Sequence, residues 1–279
     1  MTHAYRAPSH PGMGYPGFVD PKPPARIRAP ANPSAFPRVD EELVRPETRE
    51  ELVRGRLVLA PPAKEPHADC QADVVSLTRR GAAKGYVAAT ELLTCTGPES
   101  DFATDACIRR EGIDPTTGAR YLEELAFEVV AEQSERDITE RAEDLSNRGV
   151  RRIIAIFVKM QQVREWSSER NDWILLDPAS AIEDHTLAAP IPIRALLDAA
   201  EADGAVVQAL YAKQVPAIME IEAEGRREGI AEGIAEGIAA LCEVLGIPLD
   251  AERRAAMQGL DAAGLRAVLR TLRTERRWS

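Results

Sequence analysis

The chain has 279 residues, of which 44% are hydrophobic and 29% are charged, and its formal net charge is −10 at pH 7. This composition is typical of a globular protein and excludes a chain that is basic over its whole surface, although it allows a local basic groove. No run approaches the roughly 18 apolar residues of a transmembrane helix, and residues 1–17 lack the apolar core of a signal peptide. We therefore expect a cytoplasmic protein without membrane contact, whose four cysteines, which form no Cys-x-x-Cys pair, are buried thiols.

Proline dominates the N-terminal segment, residues 1–40, which contains nine prolines. Proline has no backbone N–H to donate, and the segment shows no periodic apolar face. We predict a disordered or polyproline-like tail over residues 1–40. Two roles are open for it: a ligand for a proline-binding partner, or a tail without a partner.

The middle region, residues 41–190, alternates strand-like and helix-like patterns and predicts an α/β domain. Gly149 ends a predicted helix, and the nearly continuous apolar run over 150–158 is typical of a central strand that is buried on both faces. The predicted elements, in chain order, are a hairpin of residues 51–53 and 56–59, a helix within 66–83, strands over 86–96, 102–109 and 122–131, a helix over 135–148, a strand over 150–158, and strands over 162–166 and 172–176.

The C-terminal region, residues 191–279, is predicted to be helical and contains a four-residue Glu-Gly repeat. The repeat runs from Glu224-Gly225 to Glu236-Gly237, with Ile230, Ile234 and Ile238 between the glycines. Because an α-helix has 3.6 residues per turn, each repeat drifts by about 40°, so the glycines follow a slow spiral along the helix. This pattern fits a helix that joins neighbouring chains, and it equally fits a low-complexity helix without a partner.

Two carboxylates, Asp105 and Glu128, interrupt apolar strands. An unpaired charge in such a strand costs several kcal/mol, so each carboxylate needs a partner, a proton or a metal ion. The segment Asp114–Gly118 predicts a turn between the two strands, and the midpoint of positions 105 and 128 falls inside it. An antiparallel hairpin about this turn would place the two residues opposite each other, with β-carbons about 5 Å apart.

Two carboxylates so close repel each other, and a divalent cation would relieve the repulsion. Ligands that are all oxygen atoms favour Mg²⁺ or Mn²⁺ over zinc. The sequence therefore predicts a metal site formed by Asp105 and Glu128. The alternative is that either acid points to water or pairs with a nearby arginine.

Arg141 is a candidate third member of this site. Ile138, Ala142 and Leu145 form the apolar stripe of the predicted helix, and Arg141 falls at the edge of that stripe. Its guanidinium can therefore lean toward the sheet while it stays in polar surroundings. The alternative is a surface pair between Asp137 and Arg141, four residues apart on the helix.

The order of these motifs resembles the bacterial "putative restriction endonuclease" family, which has a PD-(D/E)XK nuclease fold. The resemblance covers about residues 45–180 and rests on the motifs that follow. They are Glu51-Leu52-Val53-Arg54-Gly55-Arg56-Leu57-Val58, Pro61-Pro62, His67, Thr104-Asp105-Ala106-Cys107-Ile108, Leu125-Ala126-Phe127-Glu128-Val129-Val130, Arg141 and Gly149-Val150.

The resemblance implies a restriction-endonuclease-like mixed sheet flanked by helices, with Asp105 and Glu128 as metal ligands and catalytic residues. Arg141 stands where the family has a helix lysine, and Thr104 stands where proline is usual. Arginine keeps the positive charge and binds phosphate, but it stays protonated and cannot act as a base. His67 is either a phosphate-contacting residue or a structural histidine, and Glu51 either approaches the metal site or is exposed.

The leading hypothesis is an endonuclease that uses Mg²⁺ or Mn²⁺ to hydrolyse DNA, with Arg141 stabilising the developing charge. The second hypothesis is an inactive nuclease-fold module that binds DNA or protein and forms a homo-oligomer through its C-terminal helix. Oligomerisation itself, through residues 217–245, is a third. Basic residues that would either line a DNA groove or stay solvated are Arg79, Arg80, Lys84, Arg148, Arg151, Arg152 and Lys159.

Overall fold

The computed structural model describes residues 36–45, 48–60, 62–131 and 133–278. Most of the predicted Pro-rich tail therefore lies outside the described residues. Residues 36–40, which the sequence places in that tail, contact the domain: the Val39 carbonyl accepts a hydrogen bond from the Cys95 N–H at 3.1 Å, and the Pro37 carbonyl accepts one from Arg148 at 2.8 Å. Val39 itself is buried.

The described residues form ten strands and six α-helices, in an order that follows the predicted one up to residue 176. The elements are β1 Glu50–Val53, β2 Arg56–Leu59, α1 Glu65–Gly81, β3 Tyr86–Gly97, β4 Ser100–Arg110, β5 Glu123–Val130, α2 Glu135–Arg148, β6 Arg152–Phe157, β7 Gln162–Ser167, β8 Asp172–Leu175, β9 Ala181–Ile182, β10 Ile191–Pro192, α3 Ala199–Ala212, α4 Pro216–Leu245, α5 Ala251–Gln258 and α6 Ala262–Glu275.

Eight of the strands form one mixed sheet in the order β2-β1-β4-β5-β6-β7-β8, and β3 pairs with the other edge of β4. Strands β5 and β6 run parallel, whereas the other neighbours are antiparallel. The parallel pair is possible because α2 connects the two strands, and Gly149 ends that helix at φ +115°. The predicted mixed sheet and its central strand β6 are confirmed.

Helices cover both faces of the sheet, because successive side chains of a strand point to opposite sides. On β5, Leu125 and Phe127 pack in the core beneath α1 and α3, whereas Ala126 packs in the core beneath α2. The helices are therefore arranged in layers around the sheet, as the sequence predicts. Helix α3, which the sequence places in the C-terminal extension, contributes Ala202 and Ala205 to the first of these cores.

The C-terminal helices have a hydrophobic core of their own, built around Ile238, Cys242 and residues of α5 and α6. Helix α4 is continuous through the Glu-Gly repeat. Along it Ile230 is exposed, Ile234 is half-buried and Ile238 is buried, as the 40° drift per repeat predicts. None of the helices in the described residues is long and apolar enough to span a membrane.

Candidate active site

The candidate site lies where β4 and β5 separate. Their antiparallel ladder reaches Ala106 opposite Phe127, and extending this register by one residue places Asp105 opposite Glu128. The turn at Asp114–Gly118 closes the hairpin through a hydrogen bond from the Gly118 N–H to the Asp114 carbonyl at 2.8 Å. The register that the sequence predicts from the turn midpoint is confirmed.

Asp105 is held at this fork by three neighbours. Its Oδ2 accepts a hydrogen bond from the Val129 backbone N–H at 2.6 Å. Its Oδ1 accepts one from the Gln71 amide at 3.4 Å and lies 3.6 Å from Nε2 of His67. Because Gln71 and His67 are four residues apart on α1, they lie on the same face of that helix. Asp105 thus links β4, β5 and α1 through a single carboxylate.

Glu128 is the most deeply buried acid of the site, with 3% of its surface exposed. Its Oε2 lies 3.4 Å from Nη2 of Arg141, whereas its Oε1 is buried without a hydrogen-bond partner. Burial raises the pKa of Glu128 to about 8; Arg141 opposes the shift, and the charges of Asp105 and Glu51 add to it. The carboxyl group therefore sits where a further positive charge would stabilise its ionised form.

Arg141 and Glu51 fill the gap between β1 and β5. The Arg141 Nη1 donates to Glu51 Oε2 at 2.8 Å, and its Nη2 donates to the Ala103 carbonyl. The other oxygen of Glu51 accepts from the Ala103 N–H at 3.0 Å. The two side chains thus satisfy both backbone groups of Ala103 at a point where β4 has left β1 and has not yet reached β5.

The guanidinium of Arg141 is held firmly in the charged state. Burial alone would lower its pKa, but the neighbouring Glu128 and Glu51 carboxylates raise it above its ordinary value. The guanidinium also lies 4.4 Å from the centre of the Phe102 ring, a favourable cation–π distance. The alternative pair between Asp137 and Arg141 is wrong: Asp137 accepts from the Ser134 hydroxyl at 2.6 Å and faces Arg56.

Residues 35–194 match the Uma2 family, which is described as "Putative restriction endonuclease". The chain belongs to the Uma2 family. The match contains the fork between β4 and β5 and every residue of the site described above. It ends before α3, so the C-terminal helices lie beyond the part of the chain that matches the family.

One solved structure similar to this Uma2 chain is described as that of a "putative nuclease belonging to DUF820 from Anabaena variabilis ATCC 29413". The similarity covers 56% of this chain and 92% of that chain, at 15% identity and a TM-score of 0.47. The assignment of the chain to its family rests on the match over residues 35–194. The comparison with curated proteins found no match.

In this Uma2 member the three residues singled out by sequence, Asp105, Glu128 and Arg141, come together at the fork. Glu51 contacts Arg141 and so lies beside these residues. Of the two positions that the sequence left open for Glu51, close to the site or exposed, the structure shows the first. The sequence patterns did not indicate Gln71. Its position one helical turn after His67 places both residues on the same face of α1 and could have predicted that it lies near Asp105. His67 lies beside Asp105 and is largely buried.

Several arginines that the sequence offered for a DNA groove of the Uma2 domain are engaged elsewhere. Arg151 and Arg152 both bind Asp184, at 2.8 and 3.2 Å. Arg148 donates to the Pro37 carbonyl and stacks on Phe36. These three side chains make contacts within the fold, and a role for them in a DNA groove stays a prediction.

The donor atoms at the fork suit a small divalent cation. Within the described ranges, no group of three or more His, Cys, Asp or Glu side chains could hold a metal ion, so Asp105 and Glu128 stand as a pair. Mg²⁺ is commonly bound by one or two carboxylates and several waters. The unpartnered Oε1 of Glu128 is an available oxygen ligand, and the residues present therefore fit such an ion.

Proposed function

We propose that the protein hydrolyses DNA phosphodiester bonds with Mg²⁺ or Mn²⁺, through Asp105, Glu128 and Arg141. One observation carries this proposal: a buried glutamate with an unpartnered oxygen faces an aspartate at the fork of the sheet, in a member of a restriction-endonuclease family. Leaving a buried carboxylate oxygen without a partner costs free energy, and at Glu128 a bound cation would offset that cost.

Asp105 and Glu128 would hold the ion. A bound Mg²⁺ or Mn²⁺ supplies a Lewis acid for the phosphoryl oxygen and lowers the pKa of a water. The ionised form of Glu128, which burial disfavours, is the form that such a site requires. Asp105 is oriented for the same purpose by the Val129 N–H and by Gln71.

Arg141 would act as a fixed positive charge. It holds Glu128 and Glu51 in place and stays protonated, so it cannot take a proton from the attacking water. Its charge would instead stabilise the negative charge that develops on the phosphate, as cationic side chains do in phosphoryl transfer. Arginine keeps the positive charge that this electrostatic task needs, but it cannot transfer a proton as a lysine could.

Plasmid nicking with Mg²⁺ or Mn²⁺ tests the proposal. We expect Glu128→Gln and Asp105→Asn each to lower the nicking rate by about a hundredfold or more, because each removes an anionic ligand. Glu124→Gln is the matched control: it lies on the same strand, four residues before Glu128, where its carboxylate pairs with His185. Equal activity in the wild type and both site variants would refute the proposed site.

The buried position of Arg141 favours a second candidate function. A guanidinium that is occupied by Glu51 and by the Ala103 carbonyl serves the fold, and such a chain could bind DNA or protein without cleaving it. Arg141→Lys distinguishes the two functions. A gain of metal-dependent cleavage over an inert wild type would support the binding module, whereas an active wild type would exclude it.

Self-association through α4 belongs to this second candidate. A side-chain carbon added at Gly225, Gly229, Gly233 or Gly237 would meet nothing within 4 Å, so this surface of α4 is open to a second copy. Two further expectations from the sequence, a homo-oligomer and a cytoplasmic location, stay predictions.

A further inference from the structure

The C-terminal end of the chain carries a charge opposite to that of the whole. Residues 251–278 contain seven arginines, three acidic residues and no lysine, in a chain of net charge −10. Helix α4, by contrast, is acidic through its Glu-Gly repeat. Such a local concentration of one charge attracts a partner of the opposite charge.

Three of these arginines lie on one face of α6 and form a stripe along it. Arg266, Arg270 and Arg273 project at about 0°, 40° and −20° around the helix axis, and all three are exposed. The buried residues of α6, Leu265 and Leu272, project at about −100° and −120°, toward α4. The arginine stripe therefore faces away from the core of the C-terminal helices.

These three guanidiniums have no partner within the described part of the chain: no ion pair, side-chain hydrogen bond or ring contact involves them. Neighbouring arginines differ in this respect. Arg253 lies over the Trp278 ring, and Arg254 donates to the Leu249 carbonyl at 3.0 Å. The chain thus uses some C-terminal arginines for packing and leaves the α6 stripe unoccupied.

We propose that the stripe of Arg266, Arg270 and Arg273 binds the phosphate backbone of duplex DNA. The proposal rests on the proposed function, because a DNA hydrolase needs cationic contacts to its substrate and Arg148, Arg151 and Arg152 are engaged within the fold. The stripe spans about 10 Å along the helix axis, over which duplex DNA carries about six phosphates. Guanidinium groups bind phosphate oxygens in a bidentate geometry.

An acidic helix of a second copy is a poorer match for this stripe. The glutamates of the α4 repeat rotate by about 40° at each step and so spread over about 120° between Glu224 and Glu236. The three arginines spread over about 60°, half of that range, and so can contact only part of such a spiral. The phosphate backbone presents negative charges along its whole length.

Fluorescence anisotropy with a 20-base-pair duplex tests the stripe, using the full chain in EDTA at 50–200 mM salt. We expect Arg266→Gln/Arg270→Gln to weaken binding about tenfold and to make the slope of log K against log salt shallower by about two, one for each lost phosphate contact. The charge-matched control is Arg226→Gln/Arg227→Gln, on the acidic helix α4, which should bind as the wild type does. Equal affinity in both double variants, or absence of binding by the wild type, would overturn the proposal.

Two further measurements separate this proposal from that of the proposed function. Glu128→Gln should bind the duplex with wild-type affinity and fail to nick plasmid; if it still nicks, the catalytic proposal fails while the binding result stands. Sedimentation of the Arg266→Gln/Arg270→Gln variant should show an unchanged oligomeric state. A changed oligomeric state with unchanged DNA affinity would make the stripe a self-association surface and overturn DNA binding.

Discussion

Replacing Arg141 with methionine tests whether this residue holds the fork of the sheet together. The Arg141 side chain is 13% exposed and connects three elements: Glu51 on β1, Ala103 on β4 and Glu128 on β5. Methionine keeps most of the packing against the Phe102 ring but donates no hydrogen bond. The substitution therefore removes the polar contacts selectively.

The expected loss of stability follows from what Arg141→Met leaves behind. Removing one partner of a buried ion pair costs about 3–5 kcal/mol, and an orphaned buried carbonyl such as that of Ala103 costs about 1–3 kcal/mol. Glu128, whose pKa is raised to about 8, is largely protonated at pH 7 already, so the ion pair that the substitution removes is mainly the one with Glu51. We expect about 4 kcal/mol in total, equivalent to a fall in Tm of about 8–16 °C for a domain of this size.

Urea unfolding at pH 7, followed by tryptophan fluorescence, measures this loss. Trp173 is a suitable reporter because its indole N–H donates to the Thr139 hydroxyl on α2 at 3.1 Å. The control is Arg136→Met on the same helix, where a 77% exposed arginine pairs with Glu140 and the expected loss is below about 0.5 kcal/mol. A loss below about 1 kcal/mol for Arg141→Met would refute the conclusion that Arg141 bridges the fork.

Three further predictions concern other parts of the chain. Burial alone would raise the pKa of Asp184, but hydrogen bonds from Arg151 and the Thr186 N–H hold this pKa below its ordinary value. The stability that the Asp184 carboxylate contributes is therefore present above about pH 4 and is lost on acidification. Asp184→Asn should lower the free energy of unfolding by about 2 kcal/mol at pH 7 and abolish that part of the acid dependence, as measured by urea titrations at several pH values. Gly149→Ala should lower the free energy of unfolding by about 1–3 kcal/mol, because alanine is strained at φ +115°. Gly229→Ala should raise it by about 1 kcal/mol, because alanine favours the helix and its β-carbon meets nothing there within 4 Å. Thermal unfolding measures both changes. A chain truncated after Pro216 should lose any oligomer that the full chain forms, and an unchanged state in sedimentation would remove self-association through α4.

Local patterns in the sequence predict the hairpin that carries Asp105 and Glu128. The turn at Asp114–Gly118 fixes the register, because in an antiparallel hairpin the residues equidistant from the turn lie opposite each other. A slip in the pairing further along, between Ile108 and Arg109, leaves this part of the register intact. The stripe of Ile138, Ala142 and Leu145 likewise predicts which face of α2 is buried.

Contacts between distant segments could not be predicted in this way. Glu51 and Arg141 are 90 positions apart, and no periodicity in either segment indicates that they meet. The same holds for Arg151 and Arg152, whose shared partner Asp184 lies more than 30 positions away in the chain. The sequence does not show which charged residues pair within the fold, so the ion pairs of these arginines could not be predicted.

The fork of the sheet explains why the site residues have structural and chemical roles at once. Between the part of β4 that pairs with β1 and the part that pairs with β5, backbone groups lack strand partners, and side chains of the site bind them instead. Asp105 accepts a hydrogen bond from the Val129 N–H. Glu51 accepts one from the Ala103 N–H, and Arg141 donates one to the Ala103 carbonyl. Substituting Asp105, Glu51 or Arg141 therefore disturbs the sheet as well as any chemistry.

Glu128 differs, because its Oε1 has no hydrogen-bond partner and burial disfavours the charged form of its carboxyl group. Glu128→Gln is consequently the substitution that separates catalysis from folding most cleanly: it should abolish nicking while the free energy of unfolding at pH 7 stays at or above that of the wild type.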